Sequence, residues 1–450
     1  MLLRFVVSNF LSIGEEVELN LFPYTRLREH KDHIYQTPQV ELLKAAAIYG
    51  ANGAGKSNLV KAMAYLRGVA VSSQVTNERV AVQSFKLDKS LVDSPSHFEV
   101  EFYTESTYYA YGLSVKDGKI IEEWLYRTDP DEKSQEMIFE RAYLDGVTRT
   151  SFHPAYSETE ADRARMEVYE REFLTTGKSL IDLLAEVKAF TDIQHVHTWL
   201  MHYFRIITPS ERGPYAPAEL MDLSSNFTAF MDEILPKIGT GLRKLEIKSI
   251  PFRTFFGQDD PFLERNVRNA LFNTGQRYVK VKREGYGWIS VTEKHGALYA
   301  IRLMAIHSGK DSGDVSFELY EESDGTQRAI DLLVPLYLAM YEGNTVVIDE
   351  IGRSLHPQLV RSIVELYLRA PSNGQLIFTT HEQNLLSSKS IRHDEIWFTQ
   401  KSSAGNTTIY PLSDFKVRND LDKRKGYLNG RFGGVPSLGR LSRVELKQGA

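Results

Sequence analysis

Residues 50 to 57 read G-A-N-G-A-G-K-S, a G-x-x-x-x-G-K-S pattern, and of all the segments they have the clearest chemistry. Glycines let the backbone curl so that successive N–H groups point at phosphate oxygens, and a following helix N-terminus adds positive potential. Gly50, Asn52, Gly53, Ala54, Gly55, Lys56, Ser57 and Asn58 are therefore the candidate triphosphate-binding residues. Lys56 can reach β- and γ-phosphates, and Ser57 can ligate Mg²⁺. The apolar run 42–49 reads as a strand and the residues from Asn58 as a helix, the flanks such a loop requires. The chain carries its own control. Gly177, Lys178 and Ser179 repeat the end of the pattern, but Glu172 stands where the first glycine belongs. The residues before that repeat read as a charged helix, so we expect a loop between helices with no phosphate role.

A second set of residues completes the chemistry. Residues 345–348 form an apolar run that delivers Asp349 and Glu350. An acid at the end of a buried strand suits a Mg²⁺ ligand opposite Ser57, and Glu350 beside it can serve as general base toward water. Residues 376–380 read as a further strand ending at His381. Ser323, Gly325 and Thr326 precede an apolar helical run, and a small polar turn at a helix N-terminus is a second anion site. One chain has one triphosphate loop, so this turn is expected to serve a neighbour's nucleotide. Taken singly, His381 reads as a strand-end histidine and Ser323 as an ordinary N-cap. Their order along the chain is what joins them.

In that order the chain resembles the ABC-type ATPases of the SMC, RecF and OLD class, and more closely the stand-alone ATPases of bacterial defence loci such as Septu and PARIS. The motifs are Ser8-Asn9-Phe10, the phosphate loop, Ser323 to Gln327 as signature, Asp349-Glu350 as Walker B, Ser354-Leu355-His356 as D-loop, His381 as switch histidine and the late glycine-rich segment 426–434. Leu11 stands where many relatives carry arginine, and the glutamine loop has no clear counterpart, Gln83 lying in the expected region. The resemblance implies an α/β ABC-ATPase head, with a RecA-like parallel sheet and an antiparallel β subdomain. It also implies ATP and Mg²⁺ as cofactors, with Lys56, Glu350 and His381 catalytic. Its subunits would form a head-to-tail homodimer or higher homo-oligomer, with Ser323, Gly325 and Thr326 acting in trans.

Organisation and composition bound the rest. We expect residues 1–150 to form an N-terminal lobe, 151–235 a helical insertion projecting from it, and 236–450 a C-terminal lobe. Period-two patterns in 97–104 and 108–115 predict a hairpin, with 120–127 as a third strand. The chain has no cysteine, so disulfide frameworks and thiolate chemistry are excluded. No apolar stretch approaches the roughly 20 residues of a membrane span, and the start lacks a signal-peptide pattern; both point to the cytoplasm. A net charge of −5 argues against a broad nucleic-acid surface, so any DNA contact must be a local patch. The C-terminal basics Lys416, Arg418, Lys423, Arg424, Lys425 and Arg431 are the candidate patch for DNA or a partner protein, a solvated tail being the plain alternative. His195, His197 and His202 do not have ligand spacing on one helix face. The tail holds no acid cluster for a Toprim domain, and no nuclease constellation appears. The expected role is thus a sensor or regulatory ATPase of an anti-phage complex, acting on a separately encoded nuclease or toxin of Toprim or HNH type. A RecF/SMC-like DNA-repair ATPase is the alternative.

Overall fold

The computed structural model describes residues 1–71, 81–209, 217–257, 260–310, 313–415 and 422–435. Contacts divide the chain into two units, 1–208 with 339–351 and 361–450, and 209–338 with 352–360. The first unit contains a six-stranded sheet in the order Phe204–Ile207, Thr345–Ile348, Gln375–Thr379, Ala45–Gly50, Ile396–Lys401 and Thr407–Pro411. The first five strands are parallel and the last is antiparallel. Strands covered on both faces read as continuous apolar runs rather than alternating ones. Ala45–Gly50 and Thr345–Ile348 are buried at every position.

Beside it lies a seven-stranded antiparallel sheet, in the order Val147–Phe152, Ser134–Leu144, Lys119–Asp129, Thr107–Lys116, Ser96–Thr104, Leu2–Ser8 and Val17–Asn20. The expected hairpin and third strand are among these. Ser96–Thr104 buries every second residue through Phe102, as a half-buried strand should. The Ser-Asn-Phe motif turns the chain at the end of the first strand. Asn9 adopts φ 52°, its amide donates to the carbonyls of Leu91, Ser94 and Pro95, and its side-chain oxygen accepts from the Phe85 N–H.

The helical stretch after residue 150 differs from the projecting insertion expected. Residues 151–208 belong to the first unit, and 209–235 to the second. The reason is packing: Leu180, Ile181, Leu184, Ile193, Val196 and Trp199 join the core cluster that also holds Phe102 and Phe204. Trp199 stacks on Phe102 at 3.9 Å and on Phe204 at 4.9 Å, so one indole bridges strands of both sheets. Phe204–Ile207 then pairs with Thr345–Ile348 as the edge of the parallel sheet.

The second G-K-S is a loop between helices, and an internal anion satisfies it. Ser179 caps the helix Leu180–Leu184. Its hydroxyl and the Leu180 N–H both donate to the buried Glu123 carboxylate. Arg141, itself fully buried, pairs with Glu123 at 3.3 Å and donates to the carbonyls of Lys178 and Thr175. Arg141→Leu should cost about 3–5 kcal/mol, because it leaves a buried carboxylate without its cation. Urea unfolding checks this, and the double variant with Glu123→Gln should recover part of the loss.

The second unit contains a sheet in the order Leu242–Pro251, Ala297–Ser308, Gly287–Lys294 and Val279–Arg283, with Asp314–Glu318 also paired to Ala297–Ser308. Phe252, Val267, Val281, Val291 and Leu298 form its small core. Among the described residues no helix is long and apolar enough to cross a membrane.

Candidate functional site: a phosphate loop at the end of a parallel sheet

Three neighbouring parallel strands end together, with Thr379 paired to Ile48 and Ile348 to Phe378. Gly50, Asp349 and His381 thus emerge from the carboxyl ends of adjacent strands, where open α/β sheets bind ligands. Gly53 (φ 77°) and Gly55 (φ 108°) take left-handed backbone, and Gly55 is the N-cap of the helix Lys56–Ala70. Side chains are excluded for a second reason. A Cβ on Gly55 would lie 2.2 Å from the Thr407 hydroxyl oxygen, and one on Gly50 would lie 2.2 Å from that of Thr399.

The Lys56 side chain is 5% exposed, and its amine donates to the carbonyls of Gly50 at 2.8 Å and Ala51 at 3.1 Å. Burial lowers its pKa to about 8, against the opposing field of Asp349 and Glu350. An amine held on two neutral carbonyls, beside a helix N-terminus, is a cation ready for a polyanion. The loop is braced from behind. Asn58 donates to the Ser12 hydroxyl at 2.7 Å, Ser12 meets Thr407 at 2.8 Å, and Thr407 donates to the Ala54 carbonyl at 3.1 Å. Asn58 therefore acts within the loop's support.

Asp349 is buried, and Thr379 donates to its Oδ1 at 2.5 Å. The same hydroxyl accepts from the Glu350 N–H at 2.7 Å, so one threonine sets both acids. Glu350 has φ 53°, a strained backbone for a side chain of its length and a feature that clusters at functional sites. Burial and the Lys56 charge lower the His381 pKa against the pull of Glu350 and Asp349, which keeps the imidazole neutral near pH 7. Thr379→Val should reduce turnover about 10–100-fold, the range for losing a hydrogen bond that orients a ligand. Phosphate release checks it, with Thr379→Ser expected to restore the rate and circular dichroism unchanged.

The donor set fits ATP with Mg²⁺. Lys56 and the loop N–H groups suit phosphates, while Ser57 and the Asp349 carboxylate are hard oxygen donors suited to Mg²⁺.

In the second unit Ser323 caps the helix Asp324–Tyr341. Its oxygen accepts from the Thr326 N–H at 3.1 Å and lies 2.9 Å from the Thr326 hydroxyl. A Cβ on Gly325 would come within 3.0 Å of the Ser354 carbonyl, so the turn at Ser323 and the segment around Ser354 touch within this unit. Other residues singled out in the sequence have structural work. The Gln83 carbonyl accepts from the Leu11 N–H. Tyr427 and Phe432 of the glycine-rich segment stack on Phe398, and Tyr427 meets Tyr49 at 6.1 Å, just before the phosphate loop. Lys423 donates to the Ile391 carbonyl, whereas Arg424, Lys425 and Arg431 are exposed. Lys416 and Arg418 lie outside the described residues. His195 lies 3.3 Å from the Tyr109 hydroxyl, and the three histidines of that region form no metal-ligand group. Thr379, Thr407 and Ser12 were missed in the sequence. Only register and long-range packing bring them to the loop.

A parallel sheet that delivers a glycine-rich loop to a helix N-terminus is the frame of a P-loop nucleotide-binding domain. A family model described as "AAA domain, putative AbiEii toxin, Type IV TA system" matches residues 45–387, and the chain belongs to that family. No curated protein matches it. Solved structures that match the chain include an SMC head bound to the C-winged helix domain of ScpA. It is 12% identical, covers 91% of this chain and 97% of that one, and has a TM-score of 0.44. The SMC head domain from Thermotoga maritima is 12% identical over 91% of this chain and 98% of that one, with a TM-score of 0.34.

Proposed function

We propose that this chain binds and hydrolyses ATP as the sensor or regulatory subunit of an anti-phage defence complex, and controls a separately encoded nuclease or toxin. The observation that carries the hydrolytic part is the Thr379 hydroxyl, which holds Asp349 and Glu350 together beside Lys56. Lys56 leaves its two carbonyls for phosphate oxygens, and the N–H groups of Gly53 and of residues 55 to 57 hold the remaining charge, that of Ala54 being donated to the Ala51 carbonyl. Ser57 and Asp349 would hold Mg²⁺, which neutralises phosphate charge when bound. Glu350 accepts a proton from the attacking water, and neutral His381 donates a hydrogen bond to the terminal phosphate. Ser323, Gly325 and Thr326 serve the nucleotide of a second copy, so the working unit is a homodimer or larger.

The family description names a TA system, which supports a partner encoded alongside, while its words "putative AbiEii toxin" apply to the matched domain itself. ATP at a subunit interface gives two arrangements of the oligomer, and a trigger with different affinity for each shifts their ratio. About 2.7 kcal/mol of differential affinity changes that ratio roughly a hundredfold. Phage challenge of cells carrying this gene with and without its neighbour tests the role. Protection should need both genes, and the neighbour's product should co-purify. Full protection by this chain alone, with nothing bound, would replace the reading with that of a DNA-acting ATPase.

A further inference from the structure

We propose that His30, Asp32 and His33 form a site for a zinc-class dication, separate from the phosphate site. These three residues each offer a ligand atom, and the three atoms lie within 4.8 Å of one another. His30 takes left-handed backbone at φ 49°, and its ring centroid lies 4.9 Å from that of His33, with the two planes 24° apart. Each imidazole is held through one nitrogen. His30 Nε2 lies 2.7 Å from the Lys389 carbonyl, which only accepts, so the proton sits there and Nδ1 carries the lone pair. His33 Nδ1 lies 2.9 Å from a fully buried Glu395 carboxylate, so its lone pair is on Nε2, 4.0 Å from Asp32 Oδ2. Glu395 is fixed in turn by the Arg392 N–H at 2.8 Å. A carboxylate or carbonyl behind each ligating histidine is the arrangement that orients imidazoles toward metals.

The plain alternative is that His33 is a core histidine satisfied by Glu395. That accounts for Nδ1 but not for a second imidazole and a carboxylate gathered with it, one ligand atom of each within 4.8 Å. Neighbouring cations do not take the site. Lys44 donates to the Asp32 backbone carbonyl rather than its carboxylate, and Arg392 pairs with Asp394 and the Glu29 carbonyl. Two imidazoles and one carboxylate favour Zn²⁺ over Mg²⁺ or Ca²⁺, with a coordination position left for water. The Glu395 carbonyl accepts from the Ala47 N–H at 2.7 Å, so the metal would tie this turn to the strand that carries the phosphate loop.

Isothermal titration of the full-length chain with Zn²⁺ alone tests the site, using His30→Gln and Asp32→Asn, both outside the buried core. Wild type should bind one Zn²⁺, and each variant should bind about 10–100-fold more weakly with unchanged circular dichroism. Co²⁺ should give the visible absorption of a tetrahedral site in wild type and lose it in both variants. Failure of wild type to bind Zn²⁺, or affinity unchanged in both variants, would overturn the assignment.

Discussion

Lys56→Ala is expected to lose ATP binding while the fold persists. The amine is the main cation at the loop, and losing one partner of a buried charge pair costs about 2–5 kcal/mol, or about 30-fold and more in affinity. The fold should not suffer. Burial lowers the Lys56 pKa from 10.5 to about 8, so below pH 8 the folded chain holds a charge that water would hold more cheaply. That penalty fades as pH rises from 8 toward 10.5, and alanine removes it at every pH. Calorimetric titration with ATP and a thermal melt at pH 7 together check this: binding should vanish and the melting temperature should not fall. Unchanged ATP affinity would take Lys56 out of the site.

Glu350→Gln should keep ATP bound but slow turnover by about 10²–10⁴-fold, the range for losing a general base. Glutamine preserves the side-chain volume and the backbone N–H that donates to Thr379, so the Asp349–Thr379 arrangement survives. What disappears is a carboxylate able to accept a proton from water. Single-turnover phosphate release, read beside ATP affinity, separates the two steps. A wild-type rate in this variant would show that Glu350 is not the base.

The phosphate loop was legible because its chemistry is local: glycines, lysine and serine act within eight consecutive residues, between a buried apolar run and a helix. The strands ending at Asp349 and Thr379 were legible for the same reason, as continuous apolar runs. Thr379 itself was not. In the sequence it is one of two β-branched residues in a strand, and its role appears only when Phe378 pairs with Ile348. Thr407 is more remote still, lying beyond the last parallel strand and yet filling the space a side chain on Gly55 would take. The helical stretch after residue 150 showed its period but not its packing partners, since the contacts of Trp199 include Phe102, far back in the chain. Phe204–Ile207 is short and falls inside the span expected as a helical insertion, so nothing local marks it as a sheet edge.

Subunit complementation tests the central claim most directly. Lys56→Ala and Ser323→Arg chains, carrying different tags, are co-expressed, and the mixed dimer is purified through both. Each variant alone should be inactive, one lacking the phosphate cation and the other the small turn at the helix N-terminus. The mixed dimer contains one site whose loop and signature are both native, so it should hydrolyse ATP at about half the wild-type rate per dimer. A mixed dimer no more active than either parent, or a chain that stays monomeric with ATP bound, would contradict a composite ATP site built from two copies.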